Sequence, residues 1–245
     1  MLLSDEKSLQ LKPYNYKKGE RQTVYPLKNM EDIISVARSL DEKTSPAYVL
    51  AFVMGINLGL RANELLSLKV RDVLWKDGTI KYIESTEDTS DSIDIFQSKT
   101  KRYRACFLNE ACRDALDWYF SSSRAVFFRL TPHAYLFPSR EGGHIQVDTF
   151  RKVLKQSADA CGIKVNIGTH TCRKTWGFWQ YKHNCKENKM DITMLQRAFG
   201  HSSPDITLRY LGITDEEDKE LYHGMNINVV TETRFLPLIK ATMPT

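Results

Sequence analysis

The sequence predicts a mainly α-helical α+β fold with one small, three-stranded antiparallel sheet. Apolar residues recur at helical spacing over most of the chain, and capping residues and glycines bound these segments. Segments typical of strands are confined to one stretch, between residues 79 and 108. Strands and helices do not alternate along the chain, which argues against a doubly wound parallel sheet.

The first predicted helix begins after Asn29. Asparagine is a favoured N-cap residue, and Asp32 lies in the first turn, where a carboxylate interacts well with the helix dipole. The apolar face of this helix is formed by Ile33, Val36, Ala37 and Leu40.

A second helix is predicted from the dipeptide Ser45-Pro46, a cap followed by a first-position proline. This helix runs through Leu58 and ends at Gly59, a residue typical of helix C-termini. A short third helix carries residues 64–68.

Three strands are predicted next, over Thr79–Ile83, Ser92–Gln97 and Arg102–Leu108. An acidic, solvated loop over residues 84–94 joins the first two, and a turn over residues 98–101 joins the second to the third.

The rest of the chain is predicted to be helical apart from a loop over residues 123–145. One helix begins at the cap residue Asn109, and another runs from the cap residue Asp148 to Cys161 and is closed by Gly162. Further helices are expected over residues 170–183, 191–199, 204–211 and 214–222.

Composition limits the classes to which the chain can belong. Its 245 residues are 42% hydrophobic, enough for a proper core, and its net charge of +5 permits an anionic partner. The five cysteines form no CxxC pair, and no apolar stretch approaches the 18 residues of a membrane span. These features favour a soluble protein with reduced thiols, in the cytoplasm.

The residues with the most chemical information lie in four short motifs. Arg61 follows a glycine-ended helix, and Glu64 stands three residues later, where it can hold the guanidinium. His170 and Arg173 share one face of a helix start, where free N–H groups favour an anion. The other two are Lys99, in a basic turn, and the segment from Gly200-His201 to Tyr210. On the helix of this last segment, Ile206, Leu208 and Leu211 are expected to face the core while Tyr210 faces out.

Each motif alone is common, but their order and spacing resemble the tyrosine recombinase, or phage integrase, family. The resemblance covers residues 25 to 215 and is most specific over residues 200–210. It implies the tyrosine recombinase catalytic-domain fold over residues 25–222. A basic arm or linker would precede it over residues 1–24, and a tail over residues 223–245 would dock on its own subunit or on a neighbour.

The family implies cleavage and rejoining of double-stranded DNA at attachment sites, by a homotetramer formed on the DNA. Tyr210 would attack the phosphate and form a 3′-phosphotyrosine. Arg61 and Arg173 would bind the phosphate oxygens as charge builds up. His170 would accept the tyrosine proton. In the same scheme His201 would hydrogen-bond the phosphate and Lys99 would protonate the leaving 5′ oxygen. The intermediate keeps the bond energy, so neither ATP nor another cofactor is required.

A basic surface would supply the grip on DNA that does not depend on sequence. Its members would be Lys101, Arg102, Arg104, Arg151, Lys152, Lys155, Lys174 and Lys182. A zinc site formed by His170, Cys172, His183 and Cys185 is rejected, because a helix would hold the two pairs about 20 Å apart. No metal is therefore expected.

Other functions compatible with these motifs remain open. A DNA-binding regulator or decayed integrase would bind DNA without forming an adduct. A type IB topoisomerase or a hairpin telomere resolvase would use the same phosphotyrosine step on other DNA. Larger integrases carry a separate core-binding domain ahead of the catalytic one, and at most about 25 residues precede the matching region here. We therefore expect either a fragment or a short member.

Overall fold

A computed structural model of the chain describes residues 23–81, 92–97, 102–121, 131–185 and 191–213. The α-helices within them are α1 Met30–Lys43, α2 Pro46–Leu58, α3 Ala62–Leu66, α4 Val70–Val73, α5 Glu110–Ser121, α6 Val147–Ala160, α7 Thr171–Gln180, α8 Ile192–Phe199 and α9 Pro204–Leu211. The two strands are β1 Ser92–Gln97 and β2 Arg102–Phe107, and a π-helical turn, Tyr181–Cys185, continues α7. The expected helix over residues 214–222, the C-terminal tail, most of the basic arm and most of the acidic loop lie outside these ranges.

Helix α2 is the centre of the fold, because it is apolar on nearly every side and packs against α1, α5 and α7. Phe52, Met54 and Leu50 on this helix are fully buried. Each such side chain contributes about 1.5–3 kcal/mol through its burial. Helix α6 packs on the other side of α1. The ends of α2 and α7 are thereby held in one rigid frame.

The prediction of three strands was wrong, since the described residues form a two-stranded sheet. β1 and β2 pair antiparallel, with Ser92 opposite Phe107. Ile80, from the first predicted strand, makes only an isolated bridge with Leu74. The reason is a tight turn in which the Asp77 carboxylate accepts from the backbone N–H and the hydroxyl of Thr79. The chain therefore folds back on the end of α4 before it could join the sheet.

Most predicted helix starts are confirmed by the capping contacts. The side chains of Asn29, Asp191 and Ser203 each accept a backbone N–H from the first turn of the helix that follows. The predicted cap at Asp148 was wrong, because Val147 already belongs to α6 and Gln146 occupies the cap position. Asp148 lies in the first turn and forms an exposed ion pair with Arg151.

The last two described helices, α8 and α9, pack together on α7 through a small separate cluster of Leu195, Phe199 and Leu211. Gly177 of α7 allows this approach, because a Cβ there would meet the rings and methyls of Phe199 and Leu211. The prediction that Ile206 faces the core was wrong: it is 41% exposed, and Thr207 is buried in its place. Within the described ranges, none of the helices has the length and hydrophobicity of a membrane span.

Candidate active site

The first arginine of the site is held by the start of α3. Gly59 ends α2 with a positive φ of 60°, and Arg61 becomes the residue before α3. The Glu64 carboxylate accepts from Nη1 of Arg61 at 2.7 Å and from the Arg61 backbone N–H at 3.0 Å. The Glu64 side chain is only 4% exposed, whereas the Arg61 side chain is 23% exposed. One buried carboxylate therefore fixes the direction of a guanidinium that still reaches solvent.

The second arginine, Arg173 of α7, is 3% exposed and is held by carbonyl oxygens at the ends of two helices. Its Nη1 donates to the carbonyl of Gly59, and its Nη2 donates to the carbonyl of Ala198 at 3.2 Å. Its Cζ lies 4.8 Å from the centre of the Phe199 ring. The C-terminal ends of helices carry partial negative charge, so both carbonyls suit a cation.

A third arginine joins the same helix end. Arg104 of β2 donates from Nη1 to the Ala198 carbonyl at 3.4 Å, and its Cζ lies 5.9 Å from the Trp176 ring centre. The Gly200 and His201 N–H groups bond to the carbonyls of Gln196 and Arg197. The Ala198 carbonyl thus receives both arginines. Strand β2 is tied to the end of α8 by this contact.

The tyrosine of α9 lies beside the histidine that precedes α7. Oη of Tyr210 is 3.1 Å from Nδ1 of His170, which is within hydrogen-bond distance. When this nitrogen carries no proton, the phenol donates to it. The Tyr210 ring is half-buried and is packed by the rings of Phe199 and His201, whose centres lie 5.1 Å and 5.0 Å from its own.

Burial and nearby charge act in opposite directions on this phenol. Burial raises the pKa of Tyr210 above its ordinary value, while the positive charges of Arg173 and Arg61 lower it. The phenol is therefore protonated at neutral pH and needs a proton acceptor to become a nucleophile. Burial also lowers the pKa of Arg173 to about 10, which leaves its guanidinium charged at neutral pH.

His201, the second histidine, follows the glycine that ends α8. Its Nδ1 lies 3.1 Å from the hydroxyl of Thr207, which in turn lies 3.4 Å from the carbonyl of Ser203. The His201 ring stacks on Phe199 at an angle of 26°. Because Nδ1 is engaged with Thr207, Nε2 is the nitrogen that can face a ligand.

Of the six residues predicted for catalysis, the structure brings together five in one cluster: Arg61, Arg173, His170, His201 and Tyr210. Lys99 lies outside the described residues, as does Lys101. Only the backbone of Arg102 is described.

The other cations predicted to bind DNA lie in two kinds of surroundings. Arg151, Lys152 and Lys155 are on the outer face of α6, where Arg151 and Lys155 form exposed ion pairs with Asp148 and Asp159. Lys174 instead lies 7% exposed with Nζ 4.6 Å from the centre of the Tyr210 ring. Lys182 lies over the rings of Phe178 and Trp179.

Several contributors to the site were not identified from the sequence. They are Thr207, Phe199 and the carbonyl groups of Gly59 and Ala198. Thr207 had only a weak signal: it stands one turn after the cap Ser203, where its hydroxyl can reach the Ser203 carbonyl, but this spacing does not determine which side of α9 faces the fold. The backbone carbonyls had none, because side-chain patterns carry no information about which carbonyls remain free.

Comparison with known proteins identifies a family match over most of the chain. The model of the phage integrase family matches residues 23–217. The probable integrase/recombinase YoeC of Bacillus subtilis is 34% identical over 200 residues, covering 81% of this chain and 95% of that protein. A tyrosine recombinase of Pseudothermotoga lettingae is 27% identical over 159 residues, covering 65% of this chain and 47% of that protein.

A solved structure has the same fold at lower sequence identity. The crystal structure of the XerH site-specific recombinase bound to palindromic difH substrate, a post-cleavage complex, has a TM-score of 0.57 and 19% identity. The match covers 84% of this chain and 55% of that one. The chain thus spans nearly all of one relative and about half of two others.

Proposed function

Because the chain belongs to the phage integrase family, as a tyrosine recombinase, we propose that it cuts and rejoins double-stranded DNA at specific sites through a covalent 3′-phosphotyrosine. The observation that carries the proposal is the 3.1 Å contact between the Tyr210 hydroxyl and His170, next to the buried Arg173. The proton acceptor and the fixed positive charge thus come from the start of α7, and the nucleophile comes from α9, a separate segment of the chain.

In the first step, Oη of Tyr210 attacks the scissile phosphorus as its proton passes to Nδ1 of His170. The new P–O bond to tyrosine forms while the bond from phosphorus to the 5′ oxygen of the leaving strand breaks. Lys99 supplies the proton that the 5′ oxygen takes up. The number of phosphoester bonds is unchanged, so the reverse step can rejoin a strand without an energy source.

The arginines stabilise the transition state. Arg61 and Arg173 bind the non-bridging oxygens, whose negative charge increases as the phosphorus becomes five-coordinate. Both guanidiniums are held in advance, by Glu64 and by the two carbonyls, so little reorganisation accompanies the reaction. His201 adds a hydrogen bond from Nε2 to the same phosphate, with the Thr207 hydroxyl donating to Nδ1 so that the ring proton is on Nε2.

The substrate of this active site is a DNA attachment site of a mobile element. A homotetramer of the chain binds this DNA inside the cell, at the nucleoid. The exposed cations Arg151, Lys152 and Lys155 would contact the DNA backbone along α6. Tyr210 meets a histidine of its own chain, which favours attack on the DNA that the same subunit binds.

The test is the formation of a covalent adduct on a nicked suicide duplex made from the ends of the host element. The wild-type chain should give a protein–DNA product that survives a denaturing gel. Tyr210→Phe should abolish this product while binding stays close to wild type, because only the reacting oxygen is removed.

Tyr103→Phe is the matched control, because it removes the hydroxyl of a tyrosine that is 73% exposed on β2. That variant should form the adduct at the wild-type rate. An adduct that persists in Tyr210→Phe would contradict the nucleophile assignment. Binding without an adduct in the wild type would favour a regulator, and relaxation of an unrelated supercoiled plasmid would favour a topoisomerase.

A further inference from the structure

One charged side chain against the nucleophile has no part in the reaction described above. Lys174 follows Arg173 on α7, and its Nζ lies 4.6 Å from the centre of the Tyr210 ring. The residue is 7% exposed. A lysine this buried is unusual without an acidic partner, and none of the ion pairs among the described residues includes it. Its position therefore needs an explanation other than that of a solvated surface charge.

The local geometry explains how the ammonium reaches this place. Lys174 stands four residues after His170, so the two side chains project from the same face of α7. The backbone N–H of Lys174 donates to the carbonyl of His170 at 2.8 Å, which fixes the first turn of the helix. His170 and Lys174 thus approach the phenol together, one at its oxygen and one at its ring.

A cation over an aromatic face is attracted by the ring, and the attraction grows when the ring becomes a phenolate. The other charged or titratable groups near this phenol are Arg173, Arg61, His170 and His201. The arginines are engaged with Gly59, Ala198 and Glu64, and in the proposed reaction they bind the phosphate. Arg173 also hydrogen-bonds the phenol oxygen, whereas Lys174 is the cation that lies over the ring of the tyrosine.

We propose that Lys174 is a positioning residue for Tyr210, which holds the phenol ring with its oxygen toward His170 and stabilises the phenolate as the proton leaves. This proposal rests on the proposed function, since it assigns a task within the same reaction. It replaces the expectation that Lys174 grips the DNA backbone. Burial lowers the pKa of Lys174, which agrees with a side chain placed against the protein interior.

The experiment uses the full chain labelled with 3-fluorotyrosine, and the Tyr210 signal is identified by its loss in Tyr210→Phe. Fluorine NMR then follows the titration of this phenol in the free protein. Lys174→Met removes the charge and keeps the length of the side chain. We expect it to raise the phenol pKa by about one unit, because removing a positive charge disfavours the phenolate. Lys174→Arg should restore most of the wild-type value.

Lys69→Met is the matched control, because Nζ of Lys69 lies 5.5 Å from the ring centre of Tyr135, outside the site. It removes an equal charge from over a tyrosine ring and should leave the Tyr210 titration and the cleavage rate unchanged. Lys174→Gln serves as a second neutral variant should Lys174→Met fail to fold, and the same shift is expected from it.

Cleavage and binding complete the test. Lys174→Met should cleave about tenfold more slowly at neutral pH, the equivalent of one unit in the phenol pKa. The deficit should shrink as the pH rises toward that pKa. For DNA binding by Lys174→Met, the slope of log affinity against log salt concentration should equal that of the wild type, because no phosphate contact is lost. An unchanged phenol pKa would overturn the proposal. A salt slope reduced by about one would also overturn it, because it would assign Lys174 to a phosphate contact.

The two proposals can fail separately. If the wild type forms no adduct on its cognate DNA, the proposed function fails, whereas the phenol titration is measured without DNA. If the adduct forms but the titration does not respond to Lys174, only the positioning role is lost.

Discussion

Replacing Glu64 by glutamine should release Arg61 while leaving the rest of the fold in place. The Glu64 carboxylate makes two contacts with one residue, at 2.7 Å to the guanidinium and at 3.0 Å to the backbone N–H. The amide of glutamine is close to isosteric, but it has one acceptor oxygen instead of two. It can keep one contact, and it turns an N–H group toward the other donor.

The magnitude follows from these contacts. A hydrogen bond to a charged group contributes about 1.5–3 kcal/mol, and part of that is recovered through the contact that remains. We expect a loss of about 1–2 kcal/mol in the free energy of unfolding. For a domain of this size that corresponds to a melting temperature lowered by about 2–8 °C. The adduct rate should fall by about 10- to 100-fold, less than the loss from deleting an oxyanion donor outright, because Arg61 is displaced and not removed.

Asp72→Asn provides the matched control. Asp72 accepts the backbone N–H of Lys69 at 2.7 Å, the same contact at the start of α4 that Glu64 makes at the start of α3, but without a predicted catalytic arginine. The Asp72→Asn substitution should lower the free energy of unfolding by about 1 kcal/mol and leave the rate of adduct formation unchanged. The assays are thermal melting and single-turnover adduct formation on the suicide duplex. If Glu64→Gln loses stability like Asp72→Asn and still cleaves at the wild-type rate, Arg61 does not depend on Glu64 and the reasoning is refuted.

Two further substitutions test the supports of the site. Thr207→Val should lower the adduct rate about tenfold with DNA binding unchanged, because His201 loses a hydrogen bond of about 1.4 kcal/mol. Thr207→Ser keeps the hydroxyl and should stay near the wild-type rate. Equal rates for both variants would contradict the role of Thr207 in positioning His201. Gly59→Ala should destabilise the fold by about 2–4 kcal/mol in chemical denaturation, since a Cβ at this positive φ would overlap the Trp176 ring. Gly78→Ala, with positive φ and open space, should cost only about 1 kcal/mol, and a matching loss at both glycines would rule out the overlap as the cause.

The features of the fold that sequence predicts well are those set by local chemistry. The caps at Asn29, Asp191 and Ser203 and the glycine end at Gly59 each depend on neighbouring backbone groups, and all are present. The prediction of a third strand was wrong because the turn at Asp77 directs the chain back along α4. The burial of Thr207 in place of Ile206 reflects which side of α9 meets α8, a matter of tertiary packing that helical periodicity alone does not determine.

The residues of the site likewise divide into those that can be predicted from sequence and those whose place depends on tertiary packing. Side chains with distinctive spacing, such as His170 with Arg173 and His201 with Tyr210, can be grouped into one site from their order along the chain. Lys174 was predicted to belong to the basic surface that grips DNA, because its sequence neighbours do not show that its side chain is buried. Its actual place depends on the angle between α7 and α9, which brings the Tyr210 ring over it.

The two carbonyls that hold Arg173 belong to the main chain, and a mutation cannot delete them. Residue 198 can therefore change in identity, within the limits of helix packing, without altering the acceptor that the guanidinium meets. Residue 59 keeps its carbonyl in any variant, but its positive φ and the Trp176 ring confine it to glycine. Arginine itself has no such freedom, because lysine has a single nitrogen and cannot span two carbonyls while leaving donors for a ligand. Over evolutionary time we expect this position to stay fixed while the helices that surround it diverge.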